Sequence, residues 1–222
     1  MGHLFERVSA VQQLSGETKC LNLNIYTPPS AIGTAASPSL PVFVWIHGGG
    51  FNAGDNTVQF GKSIQISQPI ALVAANYRLN LFGALSSHEL NEEAEALGET
   101  PIPNPGLHDQ RIALQWVQSY IHHFGGDPAR VTCGESAGAY SILCHLKGGI
   151  PLFQQALIQS PPSSPLRTPE DAQEAFDKLV VSSGGSLDAS SADKLAALRS
   201  LSAQQLVHLF DGSFSFPFED PN

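Results

Sequence analysis

At 222 residues, 42% of them hydrophobic and 14% charged, the chain has a soluble globular composition and can bury about 70% of its unfolded surface without staples. No apolar run approaches the ~20 residues of a bilayer span, which excludes a membrane-spanning helix. The formal charge of -9 excludes the basic surface that nucleic acid requires.

In chain order, Met1 to Ala10 contains Glu6 and Arg7 and lacks a continuous apolar stretch. It does not read as a secretory signal, and a cytoplasmic location is the expectation. Cys20, Cys133 and Cys144 are widely spaced, with no C-x-x-C pair and no metal-ligand spacing, and are expected to be small buried residues. Lys19 to Tyr26 alternates apolar and polar residues, predicting a half-buried strand. Val42 to Ile46 and Ile70 to Ala75 are short, β-branched apolar runs, predicting central strands covered on both faces. The spacing of Ile112, Trp116, Val117, Tyr120, Ile121 and Phe124 predicts a helix over Asp109 to Phe124 that buries this stripe and stops at Gly125-Gly126. A strand from Arg130 to Cys133, a helix from Ala137 to Lys147 ended by Gly148-Gly149, and a strand from Ala156 to Gln159 complete a β-α-β rhythm with a mostly parallel sheet.

After the breaker Pro161-Pro162-Ser163-Ser164-Pro165 only helices are predicted. One starts with Thr168 as N-cap and Pro169 as first helical residue, a second runs from Ser191 to Ser200, and a third begins at the capping-box pattern Ser202-x-x-Gln205. Residues 1–160 therefore read as one α/β portion and 161–222 as an incomplete helical segment of the same domain.

Two motifs carry the chemistry. Gly134-Glu135-Ser136-Ala137-Gly138 is a G-x-S-x-G sequence between a strand and a helix, the setting in which a strained turn projects a serine hydroxyl from the top of a sheet. His47-Gly48-Gly49-Gly50-Phe51 ends an earlier strand, where a glycine loop presents backbone N–H groups to an oxyanion. Together they predict Ser136 as a nucleophile forming an acyl-enzyme, with the N–H groups of Gly49, Gly50 and Ala137 converging on the developing charge. No metal or nucleotide cofactor is implied, since the glycine loop lacks the Lys-Ser/Thr of a P-loop. The partner is a small-molecule ester.

These segments, with Leu21 to Pro28, Asn76-Tyr77-Arg78-Leu79, Gly106 to Arg111, Ala113 to Val117 and Phe124 to Pro128, resemble the type-B carboxylesterase/lipase family, the cholinesterase-like α/β-hydrolases. The resemblance runs from about Cys20 to Ser160. It implies a partial α/β-hydrolase fold with helices on both faces of the sheet. It also gives Ser136, Gly49, Gly50 and Ala137 their roles, places Glu135 near the catalytic histidine, and makes His47 a loop-shaping residue. Glu135 reads equally well as a carboxylate favoured by a helix N-terminus. Family members are often secreted, and Cys20 stands where many carry a disulfide cysteine whose partner lies upstream.

The sequence also departs from that pattern. In this fold an acid and then a histidine follow the serine. After Ser136 only His145 and His208 occur. His145 lies roughly 13 Å along the same helix, out of reach of the hydroxyl. His208 is preceded by Asp188 and Asp193 but faces away from the Leu206, Leu209, Phe210 stripe. The segment Ala129 to Cys133 is one residue shorter than the family pattern, which shifts the strand's facing or tightens the turn. The strands preceding Cys20 in the family are expected to be absent. The chain thus reads as truncated at both ends, expected to hydrolyse p-nitrophenyl acetate weakly or not at all, and to self-associate through an exposed sheet edge at Ala156 to Gln159. Two readings stand: a carboxylic-ester hydrolase, or a non-catalytic remnant that keeps the scaffold without a triad.

Overall fold

The computed structural model describes residues 6–9, 20–32, 40–57, 69–133, 136–149, 151–163, 166–209 and 217. Among them six strands form one sheet: β1 Glu6–Ser9, β2 Leu23–Thr27, β3 Leu40–Ile46, β4 Ala71–Ala75, β5 Gly126–Cys133 and β6 Gln155–Ala156. Their spatial order is β1-β2-β4-β3-β5-β6. Pairing is antiparallel at the β1 end and parallel from β4 through β6, as the alternating strand and helix pattern requires. Seven helices accompany it among the described residues: α1 Asn80–Ala84, α2 His88–Ala96, α3 Pro105–Tyr120, α4 Ala137–Lys147, α5 Pro169–Ser182, α6 Ser191–Arg199 and α7 Ala203–Leu209.

The chain divides into two compact units. The first comprises Met1–Gly49, Ala53–Tyr77 and Asp109–Pro162 and contains the sheet, α4 and most of α3. β4 is buried along its whole length, whereas β3 alternates, with Phe43 and Trp45 only half-buried. Thr27 Oγ1 donates to the Phe124 carbonyl at 2.9 Å, tying the sheet to the short 3-10 turn Ile121–Phe124 that follows α3.

Four expectations are corrected here. A strand does precede Cys20: Glu6–Ser9 pairs with β2, with Arg7 opposite Tyr26. Its four residues hold a single apolar side chain, so the partner strand rather than its own pattern specifies it. Cys20 is exposed, because the chain enters β2 only at Leu23, and Cys144 is partly buried. The predicted stripe of α3 is rotated: Ile112 and Tyr120 are each 49% exposed, and the buried face is Gln110, Ala113, Leu114, Val117 and Ile121. Both stripes satisfy the 3.6 period, and a glutamine on the second disguised it. The predicted strand Ala156 to Gln159 is shorter, only Gln155–Ala156, and both residues are exposed at the sheet edge beside exposed Leu157 and Ile158.

The second unit comprises Gly50–Asn52, Arg78–His108 and Ser163–Asn222. Its core is Phe176, Leu179 and Val180 of α5 against Leu195 and Leu198 of α6, with Leu206 and Leu209 of α7 packed on it. The helix starts are those the sequence predicts. Thr168 and Asp171 form a reciprocal capping box, and Ser202 and Gln205 bond to each other's backbone N–H at 3.3 and 2.9 Å. Glu89 of α2 is buried and takes Lys194 Nζ at 3.0 Å and Gln173 Nε2 at 3.1 Å. Burial pushes its carboxyl up, but these bonds outweigh that and hold it below the usual glutamate range.

Candidate active site at the serine turn and glycine loop

β5 must deliver Ser136 to the same end of the sheet as the loop after β3, and the strand register decides whether it does. An irregularity lies between the pairs Leu40/Gly126 and Val42/Val131, after which Val131, Thr132 and Cys133 run in register with Val42, Phe43 and Val44. A bulge of this kind absorbs a length difference upstream of the turn. Gly134 and Glu135 lie outside the described residues, and with them the Glu135 expectation.

Ser136 has φ 55° and ψ -122°, a conformation that a non-glycine residue adopts only when its surroundings enforce it. Three enforcing contacts are visible. The Ser136 N–H donates to the Gln159 carbonyl at 2.8 Å, and its own carbonyl accepts the Tyr140 N–H at 3.0 Å as α4 begins. Two residues on, Gly138 packs directly on β3: a Cβ there would overlap the Ile46 carbonyl oxygen. The start of α4 is thus held against the end of β3, at the stem of the glycine loop. Ala137 is buried and is the first residue of α4, so its N–H has no acceptor within the helix. The Ser136 side chain makes no capping bond to α4.

The loop itself is shaped by left-handed backbone. Gly49 has φ 105°, and its carbonyl accepts the Ala53 N–H at 3.1 Å in a turn so tight that a Cβ would strike the Ala53 carbonyl. Gly50, described with the second unit, has φ 61° and is exposed.

Beneath the loop His47 is buried, stacked on Tyr77 with ring centroids 4.4 Å apart. Tyr77 Oη donates to the His47 carbonyl at 2.7 Å, and His47 Nδ1 donates to the Gly48 carbonyl at 2.9 Å. Burial lowers the His47 pKa, partly opposed by the Gly48 bond and Asp55. These contacts make His47 a strut of the loop, as expected. Tyr77 is the functional neighbour that sequence reasoning missed. The signal available was an aromatic with a polar tip two positions beyond a buried strand.

Of the two later histidines, one is exposed and the other is engaged with a glutamine. His208 is exposed on α7. His145 of α4 bonds through Nε2 to Oε1 of Gln110 at 3.1 Å. Burial, reinforced by Arg111, lowers its pKa to about 4. The unfolded chain binds a proton at His145 near 6.5, whereas the folded chain binds it only near 4. Its contribution to stability is therefore complete above 6.5 and is lost as pH falls toward 4. His145→Gln is expected to flatten the pH dependence of the urea midpoint between pH 6.5 and 4, removing a slope worth about 3 kcal/mol.

A family model described as the carboxylesterase family matches residues 5–219. The chain is 41% identical over 211 residues to lipase 5 of Diutina rugosa, spanning 87% of this chain and 36% of that protein. It is 40% identical over 215 residues to acetylcholinesterase of Electrophorus electricus, spanning 90% of this chain and 32% of that one. Among solved structures, juvenile hormone esterase from Manduca sexta superposes with a TM-score of 0.74 at 30% identity, covering 91% of this chain and 39% of that one. A thermophilic pNB esterase superposes with a TM-score of 0.73 at 30% identity, covering 91% and 41%. The chain spans about a third of the length of these curated relatives. With its mixed, mostly parallel sheet and its fold shared with solved esterases, the chain belongs to the carboxylesterase family and has its α/β-hydrolase fold.

Proposed function

We propose that this chain carries the nucleophile and oxyanion half of a carboxylic-ester hydrolase. Ser136 Oγ attacks the ester carbonyl, the alcohol leaves with a proton, and water hydrolyses the acyl-enzyme to the acid and free serine. The N–H groups of Gly49, Gly50 and Ala137 receive the oxyanion, a task for which each is worth about 10² to 10³ in rate. The observation that carries this reading is the strained backbone of Ser136 at the head of α4.

A second reading, a non-catalytic scaffold, draws on the two later histidines: His145 is committed to Gln110, and His208 lies exposed on α7. Labelling with a fluorophosphonate separates the two. The hydrolase reading expects one stoichiometric adduct on the peptide containing Ser136, located by mass spectrometry. An adduct on another serine, or none, favours the scaffold.

A further inference from the structure

A line of buried polar groups runs behind the serine turn, apart from the loop and the nucleophile. Gln110 of α3 is 1% exposed and Ser141 of α4 is 0% exposed. Gln110 Nε2 donates to Ser141 Oγ at 3.1 Å, Ser141 Oγ donates to the Ala137 carbonyl at 2.9 Å, and His145 Nε2 reaches Gln110 Oε1 at 3.1 Å. The directions are forced. A carbonyl can only accept, so the Ser141 hydroxyl proton points at Ala137 and its lone pairs face Gln110. That fixes the Gln110 amide with NH₂ toward Ser141 and oxygen toward His145, and places a proton on His145 Nε2.

Stability alone does not account for this arrangement. Replacing both partners of a buried hydrogen bond by apolar groups of similar shape is nearly neutral, and a mid-helix serine bonded back to the carbonyl four residues earlier slightly destabilises a helix. What the line does is hold the Ala137 carbonyl, one residue beyond a backbone conformation that persists only when over-determined. We propose that Gln110 is a positioning residue for the serine turn: through Ser141 it fixes the first turn of α4, which carries Ser136 and the Ala137 N–H. The proposal rests on Ser136 being the nucleophile for its catalytic consequence, but not for its structural one.

The test uses the whole chain as wild type, Gln110→Leu, Ser141→Ala and the double variant Gln110→Leu/Ser141→Ala. Gln110→Leu leaves Ser141 Oγ and His145 Nε2 without their Gln110 partner, Ser141→Ala leaves Gln110 Nε2 without its acceptor, and the double variant leaves only the partly exposed His145 ring unpaired. Three quantities are read: the urea midpoint, hydrogen exchange at the Tyr140 amide relative to Leu146 on the same helix, and the rate of fluorophosphonate labelling at Ser136. Gln110→Leu is expected to speed Tyr140 exchange tenfold or more while Leu146 follows global stability, and to slow labelling tenfold or more. The double variant is expected to raise the midpoint above that of Gln110→Leu without recovering slow Tyr140 exchange or labelling. If Tyr140 and Leu146 exchange change together in every variant, or if the double variant restores all three quantities, Gln110 is a packing residue and the proposal is overturned. Absence of labelling in the wild type defeats the nucleophile reading alone, because the exchange measurement still decides what Gln110 does.

Discussion

Replacing Ser136 by alanine is expected to abolish fluorophosphonate labelling and to remove the weak p-nitrophenyl acetate hydrolysis expected of this chain, while leaving the fold intact. The two halves of that expectation have separate grounds. The hydroxyl is the attacking group in the proposed reaction, and no neighbouring N–H substitutes for a lost nucleophile. Structurally, the Ser136 side chain caps nothing, and the bonds that hold the turn use its backbone N–H and carbonyl, which alanine retains. Alanine at φ 55° carries the same Cβ strain as serine, so the melting temperature should be unchanged. Ser136→Gly sharpens the test: relief of that strain is expected to stabilise the protein by about 1 kcal/mol while activity is equally lost. Loss of activity with loss of stability in both variants would assign Ser136 a structural role. Turnover surviving in both would move the nucleophile elsewhere.

Gly138→Ala is expected to have the largest effect on folding, about 4 kcal/mol or more of destabilisation by urea unfolding. The overlapping atom is the Ile46 carbonyl oxygen, and Ile46 is locked by its parallel pairing with Ala75 of β4. A flexible side chain would move aside, but here backbone meets backbone, and α4 must lift from β3. Lifting it would take Ser136 away from the glycine loop, so activity is expected to fail even in the fraction that folds. Gly148→Ala at the other end of the helix is the matched control. Its φ is -70°, and its Cβ would meet nothing closer than ordinary contact at 3.6 Å, so a change within about 0.5 kcal/mol is expected. Equal effects at the two positions would show that helix propensity, not packing on β3, sets the cost.

Much of this architecture was legible because its signals are local. The α4 limits at Ala137 and Lys147 follow from the turn motif before it and the glycine pair after it. The Thr168 and Ser202 starts follow from capping residues that bond within one turn. The two motifs pointed to the site for the same reason, since G-x-S-x-G and H-G-G-G each encode a backbone conformation in consecutive residues. By contrast, β1 has too few apolar residues to announce itself, and α3 offers two stripes of equal period. Which stripe is buried depends on the neighbouring elements, and the answer put a glutamine inside.

The sequence by itself therefore determined the order of β2 to β6 and of α3 to α7, the family resemblance and the candidate nucleophile, because periodicity, capping and turn chemistry act over a few residues. Only the tertiary structure decided why Gly138 must lack a side chain, that Tyr77 braces His47, and that His145 is tied to Gln110. Each of these joins residues roughly 30 to 90 positions apart, and contacts at that separation are set by packing and by satisfying buried polar groups, not by any local pattern.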